Sequence, residues 1–120
     1  MNDRYLYRAK RIDNGKWVEG DMVHSVYKKG DTCVGQYGNE VGMHTVDSST
    51  ICQCTGYEGI YEKDIFQCDD ERYVIEWCDY SLSWDAVAVG SSESISLGEF
   101  APDEVDVIGN AIDNPELLEV

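Results

Sequence analysis

Apolar positions along the chain fall in short runs that alternate with polar ones, a period of two that predicts strands rather than helices. Tyr5 to Lys10 reads as a first strand. Asp13-Asn14-Gly15 supplies the positive-φ residues of a tight hairpin turn, and Lys16-Trp17-Val18 begins the return. Glu19-Gly20 interrupts that return before Asp21-Met22-Val23 resumes it, which predicts a bulge or a sharp bend. Val26 to Asn39 reads as a hairpin around Lys28-Lys29-Gly30-Asp31 with Thr32-Cys33-Val34 as its return. Asn39 to Thr50 is weakly patterned and predicts an irregular, mobile loop.

The stretch from Thr50 to Phe66 packs three β-prone runs, Ile51–Cys54, Ile60-Tyr61 and Ile65-Phe66, around the turn pair Thr55-Gly56 and the bend Glu62-Lys63-Asp64. Corners this tight between apolar runs are how small bent or closed sheets are built. The end of the stretch repeats an earlier one. Trp17-Val18-Glu19-Gly20-Asp21-Met22-Val23 aligns with Ile60-Tyr61-Glu62-Lys63-Asp64-Ile65-Phe66, two bulky residues before Glu-x-Asp and two apolar residues after it. The pattern predicts a corner anchored on both sides by buried residues, with Glu62 and Asp64 outside, at the surface or capping nearby backbone amides. The same acids read as a catalytic carboxylate pair are disfavoured, because the pattern recurs at Glu19 and Asp21.

Further on, Asp69-Asp70-Glu71 is a turn into a strand from Arg72 to Cys78, with Tyr73, Ile75 and Trp77 on one face and Arg72, Val74, Glu76 and Cys78 on the other. The acidic triplet lacks the spaced oxygen ligands of a calcium loop. Asp79 to Ser83 turns the chain into Trp84–Val89, closed by Gly90-Ser91-Ser92. Ile95 to Phe100 is a weaker strand, and Pro102-Asp103-Glu104 turns into Val105–Ile108, with Val105 and Val107 facing one way. Gly109-Asn110 breaks that run. Asp113-Asn114-Pro115-Glu116 carries a capping side chain and a proline at the first helical position, so Pro115–Leu118 predicts one helical turn. Nothing else reads as helical. The fold class is mainly β: a single domain over residues 1–120, barrel-like or a strongly bent antiparallel sheet, with a short helical turn at the C-terminus.

Composition changes this picture little. Eight Tyr and three Trp against two Phe suit half-buried pleated surfaces. No apolar run approaches the roughly 18–20 residues of a membrane span, and Met1-Asn2-Asp3-Arg4 carries no apolar leader, so a cytoplasmic protein without membrane contact is expected. Charge matters more. The net charge is −15, yet residues 1–29 carry +3 and residues 30–120 carry −18. A field of that sign repels a phosphate backbone, so direct nucleic-acid binding is not expected. It either keeps the surface solvated or attracts basic partners, DNA mimicry being its sharpest form.

Five cysteines, Cys33, Cys52, Cys54, Cys68 and Cys78, make an odd count that argues against a disulfide framework. Cys52 and Cys54 share a strand face and with Cys68 and Cys78 would make a four-thiolate zinc site, but the spacing misses that of structural zinc ligands. Unpaired thiols acting as small hydrophobes are expected, with no metal and no cofactor. His24 and His44 stand apart from any Cys or Ser partner and read as surface or capping residues.

Three motifs then resemble the YopX family of phage and prophage proteins. The run from Val107 to Leu118 is similar to that family's closing I-G-N and N-P-E-L-L. Gln53, Thr55 and Gly56 match its Q-x-T-G, and Ile60-Tyr61-Glu62-x-Asp64-Ile65 matches its I-Y-E-G-D-I. Tyr7-Arg8-Ala9 and Gly15-Lys16-Trp17-Val18 resemble its opening F-R-A-W and G-K-W. Only Tyr57-Glu58-Gly59 remains of the family's longer polar turn, and Lys63 stands where the family has glycine, which predicts a corner that does not need positive φ. The resemblance implies a compact β-rich fold with barrel character and a phage-borne gene; it implies no activity. With no nucleophile-base constellation, phosphate loop or metal spacing, the expected role is non-enzymatic binding of a protein partner in a bacterial host, self-association included. An enzyme assembled only in three dimensions and an acidic DNA mimic are the alternatives, and no catalytic, cofactor or metal residues are assigned.

Overall fold

The structure, a computed structural model, describes residues 6–24, 32–36, 42–91 and 93–119, with side chains described outside 21–24, 32–36, 42 and 43. By its contacts the chain divides into two units, Met1–Tyr61 and Glu62–Val120, each holding a five-stranded antiparallel sheet. The fold is mainly β.

In the first unit β1 (Tyr7–Lys10), β2 (Trp17–His24), β3 (Thr32–Gln36), β4 (Gly42–Val46) and β5 (Cys52–Gln53) are ordered β4-β3-β2-β1-β5. The β1–β2 turn forms where its chemistry places it: Gly15 takes φ +69, and Asn14 Oδ1 accepts from the Lys16 N–H at 2.9 Å. β2 corrects the bulge, one of the two forms expected at its glycine. Glu19-Gly20 makes no bulge, because the ladder continues through Arg8↔Glu19 and Tyr7↔Gly20 and then passes to β3 from Asp21↔Gly35 onward. The strand exchanges one neighbour for another without a break.

Asn39 to Thr50 is a second correction. β4 occupies Gly42–Val46, paired along its length with β3, and a 3-10 turn follows at Ser48–Thr50. Asp47 Oδ1 caps that turn by accepting from the Ser49 N–H at 3.0 Å, and Thr50 Oγ1 accepts from the Lys10 N–H at 2.8 Å. Ile12 N–H also donates to Thr45 O at 3.1 Å and Val46 bridges Arg11, so the end of β4 returns to the end of β1. The sheet is strongly bent, and no closed barrel forms among the described residues. Ala9, Val18 and Val46, with Ile51 against them, fill the bend. Of the predicted hairpin over Val26–Asn39, only the return strand is described; its apex lies outside the described residues.

The second unit orders β6 (Asp64–Cys68), β7 (Glu71–Cys78), β8 (Ser83–Ala88), β9 (Ser94–Ser96) and β10 (Asp106–Asn110) as β10-β6-β7-β8-β9. Phe66, Tyr73 and Phe100 pack ring to ring with centroids 5.2–5.4 Å apart, and Ile75, Ala86, Leu97 and Val105 are also buried. The expected strand Ile95–Phe100 ends at Ser96: a 3-10 turn at Leu97–Glu99 brings Leu97 and Phe100 inward together, as the i, i+3 spacing of that helix allows. Pro102–Glu104 is likewise a 3-10 turn, tied by Glu104 Oε1 accepting from the Ala101 N–H at 2.8 Å. Helical turns are thus not confined to Pro115–Leu118.

Gly109-Asn110 does not break the last strand either. β10 runs through it, with Gly109 opposite Ile65 and Asn110 opposite Asp64, after a register shift between Val107 and Gly109. Val105 precedes the strand and is buried, whereas Val107 within it is exposed.

Candidate functional site

The recognised motifs build local structure first. In the Q-x-T-G segment, Thr55 donates its hydroxyl to Ile60 O at 3.0 Å and accepts from the Tyr57 N–H at 3.3 Å, while Gly56 and Gly59 take φ of +103 and +75. In the closing motif Asn110 is a hub. Its Oδ1 accepts from the N–H of Ile112 and Asp113 at 3.0 and 2.8 Å, and its Nδ2 donates to Asp113 Oδ2 at 3.2 Å. Asn114 caps nothing in its own turn; its Oδ1 reaches back to the Asn110 N–H at 3.2 Å. Gly109 makes room for that reach, because a Cβ there would lie 2.6 Å from Asn114 Oδ1 and 2.9 Å from Leu117 Cδ1.

The corner after Tyr61 brings two corrections. Lys63 takes φ +70, the left-handed conformation that a glycine would adopt at less cost, so this corner does need positive φ. It is held there because its N–H donates to Ile75 O and its C=O accepts from the Ala111 N–H, both at 2.8 Å. Asp64 is not outside. It is 1% exposed, paired in the ladder with Asn110, while Glu62 beside the corner is half-buried. Ile60, Tyr61, Ile65 and Phe66 are all buried, as the corner reading requires.

Two of the motifs, the N-terminal and the central one, meet in the first unit. The Arg8 guanidinium lies 4.7 Å from the centroid of Trp17 and 4.6 Å from that of Tyr61, a cation held between two ring faces. Lys10 Nζ stands 5.4 Å from the Trp17 ring. The Tyr61 hydroxyl donates to Glu19 Oε2, the residue opposite Arg8 in the ladder. Burial, then the hydrogen bond to Glu19 and its negative charge, push the Tyr61 phenol far above its ordinary range. It is therefore a fixed donor and no base at physiological pH. The cluster binds β1, β2 and the segment at Tyr61 to one another.

Cys52 and Cys54 are buried, with Cys52 Sγ donating to Thr50 O at 3.4 Å and Cys54 Sγ to Tyr57 O at 3.5 Å. Cys68 and Cys78 are half-buried and free, and the Cys33 side chain lies outside those described. Burial, then the charge of Asp69, raise the Cys68 thiol, whereas hydrogen bonds from Ser81 and the Tyr80 backbone lower that of Cys78. Among the described residues no three His, Cys, Asp or Glu side chains gather as metal ligands. His44 is half-buried on β4, and the His24 side chain is not among those described. The described helices include none long and apolar enough to cross a membrane.

What sequence reasoning passed over is the β7–β8 hairpin tip. Trp77 and Trp84 face one another across the ladder with ring centroids 5.1 Å apart at 71°. Trp77 is 43% exposed although Ile75 on the same face is fully buried, Tyr80 is 99% exposed and Leu82 is 73% exposed at φ +53. Two large apolar residues inside so short a turn were the available signal. By its sequence the segment reads only as a connector.

No curated protein and no solved structure matches the chain. The family described as YopX protein matches it over residues 6–119, from the strand that carries Arg8 to the end of the closing turn; the chain belongs to that family.

Proposed function

We propose that this protein is a non-enzymatic binding module, a phage or prophage accessory protein whose partner is another protein of the bacterial cytoplasm and whose contact centre is the β7–β8 tip. The observation that carries the reading is the exposure of Tyr80 and Leu82 beside the half-exposed Trp77. Burying a side chain of this kind gains about 1.5–3 kcal/mol, so the fold forgoes that gain at each of them. Aromatic anchors are also the residues in which interface energy concentrates. Neighbouring carboxylates at Asp79 and Asp85 give the tip the sign of charge that favours a basic partner.

The test is capture from host lysate by the wild-type chain and by the double variant Tyr80→Ser, Leu82→Ser, whose side chains support no core. The wild type retains a discrete partner in stoichiometric amount, and the double variant loses it while keeping its unfolding midpoint. Capture unchanged by the double variant, or no partner on the wild type, overturns the reading.

A further inference from the structure

β9 ends its sheet, and among the described residues no strand covers its outer side. Edge strands are ordinarily kept short or protected by lysine, proline or a bulge. Ser94-Ile95-Ser96 is short but carries no lysine, proline or bulge, whereas the opposite edge, β10, carries a register shift. Ala88 N–H donates to Glu93 O at 2.9 Å, and Ala86 stands opposite Ile95. In an antiparallel ladder the hydrogen-bonded pairs alternate, so Ser94 and Ser96 turn their N–H and C=O groups outward.

Two hollows flank this edge. One, of about 370 Å³, is walled by Tyr73, Ala88 and Ile95 with Glu71 and Glu93 at its rim. The other, of about 310 Å³, is bounded by Trp77 and Val87 with Glu76 and Asp85. They lie on opposite faces of the sheet. Glu71 and Tyr73 alternate with Glu76 and Cys78 along β7, and the register carries the two sets to Ala88 and Ile95 on one side and to Val87 and Ser94 on the other. An added strand would send successive side chains alternately to the two faces, so adjacent residues would enter different hollows. Each hollow offers two carboxylates, and the first adds the ring of Tyr73, which suits the stem and guanidinium of an arginine.

We infer that β9 is a strand-addition site for an extended, arginine-bearing segment of a protein partner. The inference rests on the reading of the chain as a protein-binding module, and it adds where and how a basic segment is held. Backbone pairing to Ser94 and Ser96 supplies the attachment, and the two acidic hollows select cationic side chains at adjacent positions.

The probe is the blocked peptide Thr-Val-Arg-Arg-Val-Thr, titrated by calorimetry into the full chain. Ser94→Pro removes an outward N–H at an edge position where proline is tolerated. It lowers affinity about tenfold or more, the scale of a lost backbone pairing. Glu71→Gln and Asp85→Asn, one in each hollow, each weaken binding severalfold, and so does salt. A peptide methylated on its alternate backbone nitrogens fails against the unmodified protein, which keeps the test independent of how Ser94→Pro folds. No binding to the wild type, or equal binding of the methylated peptide, overturns strand addition. So does a loss confined to the carboxylate variants, which marks charge attraction alone. Such a failure leaves the tip reading standing, since that reading is tested at Tyr80 and Leu82.

Discussion

Trp17–Val23 and Ile60–Phe66 carry one pattern and take two backbones. The first copy is a single strand: Gly20 sits in the ladder opposite Tyr7, and the chain runs on through Asp21 into pairing with β3. The second copy turns at Glu62-Lys63 and starts a new strand at Asp64. The glycine lies where the backbone is extended, and the lysine lies where it is left-handed. Conformation at the fourth position of the pattern is therefore set by what the backbone is bonded to: Tyr7 across the ladder in one copy, Ile75 and Ala111 in the other. What the pattern itself encodes is burial on either side of an acidic pair. The copies also touch, since the phenol of Tyr61 donates to Glu19 and the rings of Trp17 and Tyr61 enclose Arg8.

The strongest way to break the comparison is to empty the buried side of the second copy. Ile65 is fully buried between Val74 and Gly109 in the ladder. Ile65→Ala should lower stability by about 2–5 kcal/mol, the range for removing a buried aliphatic side chain. Urea unfolding reads it as a fall in midpoint at constant slope. An effect under about 1 kcal/mol would mean that the site collapses around alanine and does not anchor the corner.

A smaller effect of opposite sign sharpens the backbone half of the comparison. A non-glycine residue in the left-handed region costs about 1–2 kcal/mol, against about 0.5–1 kcal/mol of extra chain entropy for glycine. Lys63→Gly should therefore stabilise the protein by about 0.5–1 kcal/mol, seen as a raised midpoint in the same unfolding experiment. Destabilisation would show that the half-buried stem of Lys63 contributes packing that outweighs its backbone conformation.

Much of this architecture was legible because its causes are local. Asp13-Asn14-Gly15 and Asp69-Asp70 place turns by their own chemistry, and the alternation of Arg72 to Cys78 places a strand to within one residue. The misplaced elements owe their form to distant partners. β4 is a strand because β3 pairs it, and Gly109-Asn110 stays in β10 because Ile65 and Asp64 lie opposite. Asp64 is buried for the same reason, which no local pattern of acids reveals. The Arg8 cluster joins residues from β1, β2 and the stretch before the corner, so its parts were visible as motifs but their meeting was not. The tip was hidden differently: alternation assigns Trp77 to the face of Ile75, but not how far along a strand the cover of the core extends.

The smallest expected effect separates the two acids at the start of each pattern. Glu19 accepts from a buried phenol, whereas Glu62 makes no hydrogen bond or ion pair among the described residues. Removing its charge relieves an excess of negative charge and empties no space, so Glu62→Gln should change stability by about 0.5 kcal/mol or less. The same variant should retain the lysate partner, because Glu62 lies at a corner whose neighbours are committed to the core. A carboxylate that served a site would behave otherwise: its loss would spare folding and abolish the binding signal. Unfolding and capture measured on the one variant thus decide the matter. Unchanged stability with lost capture would make Glu62 a contact residue and move the interaction surface from the hairpin tip to the corner.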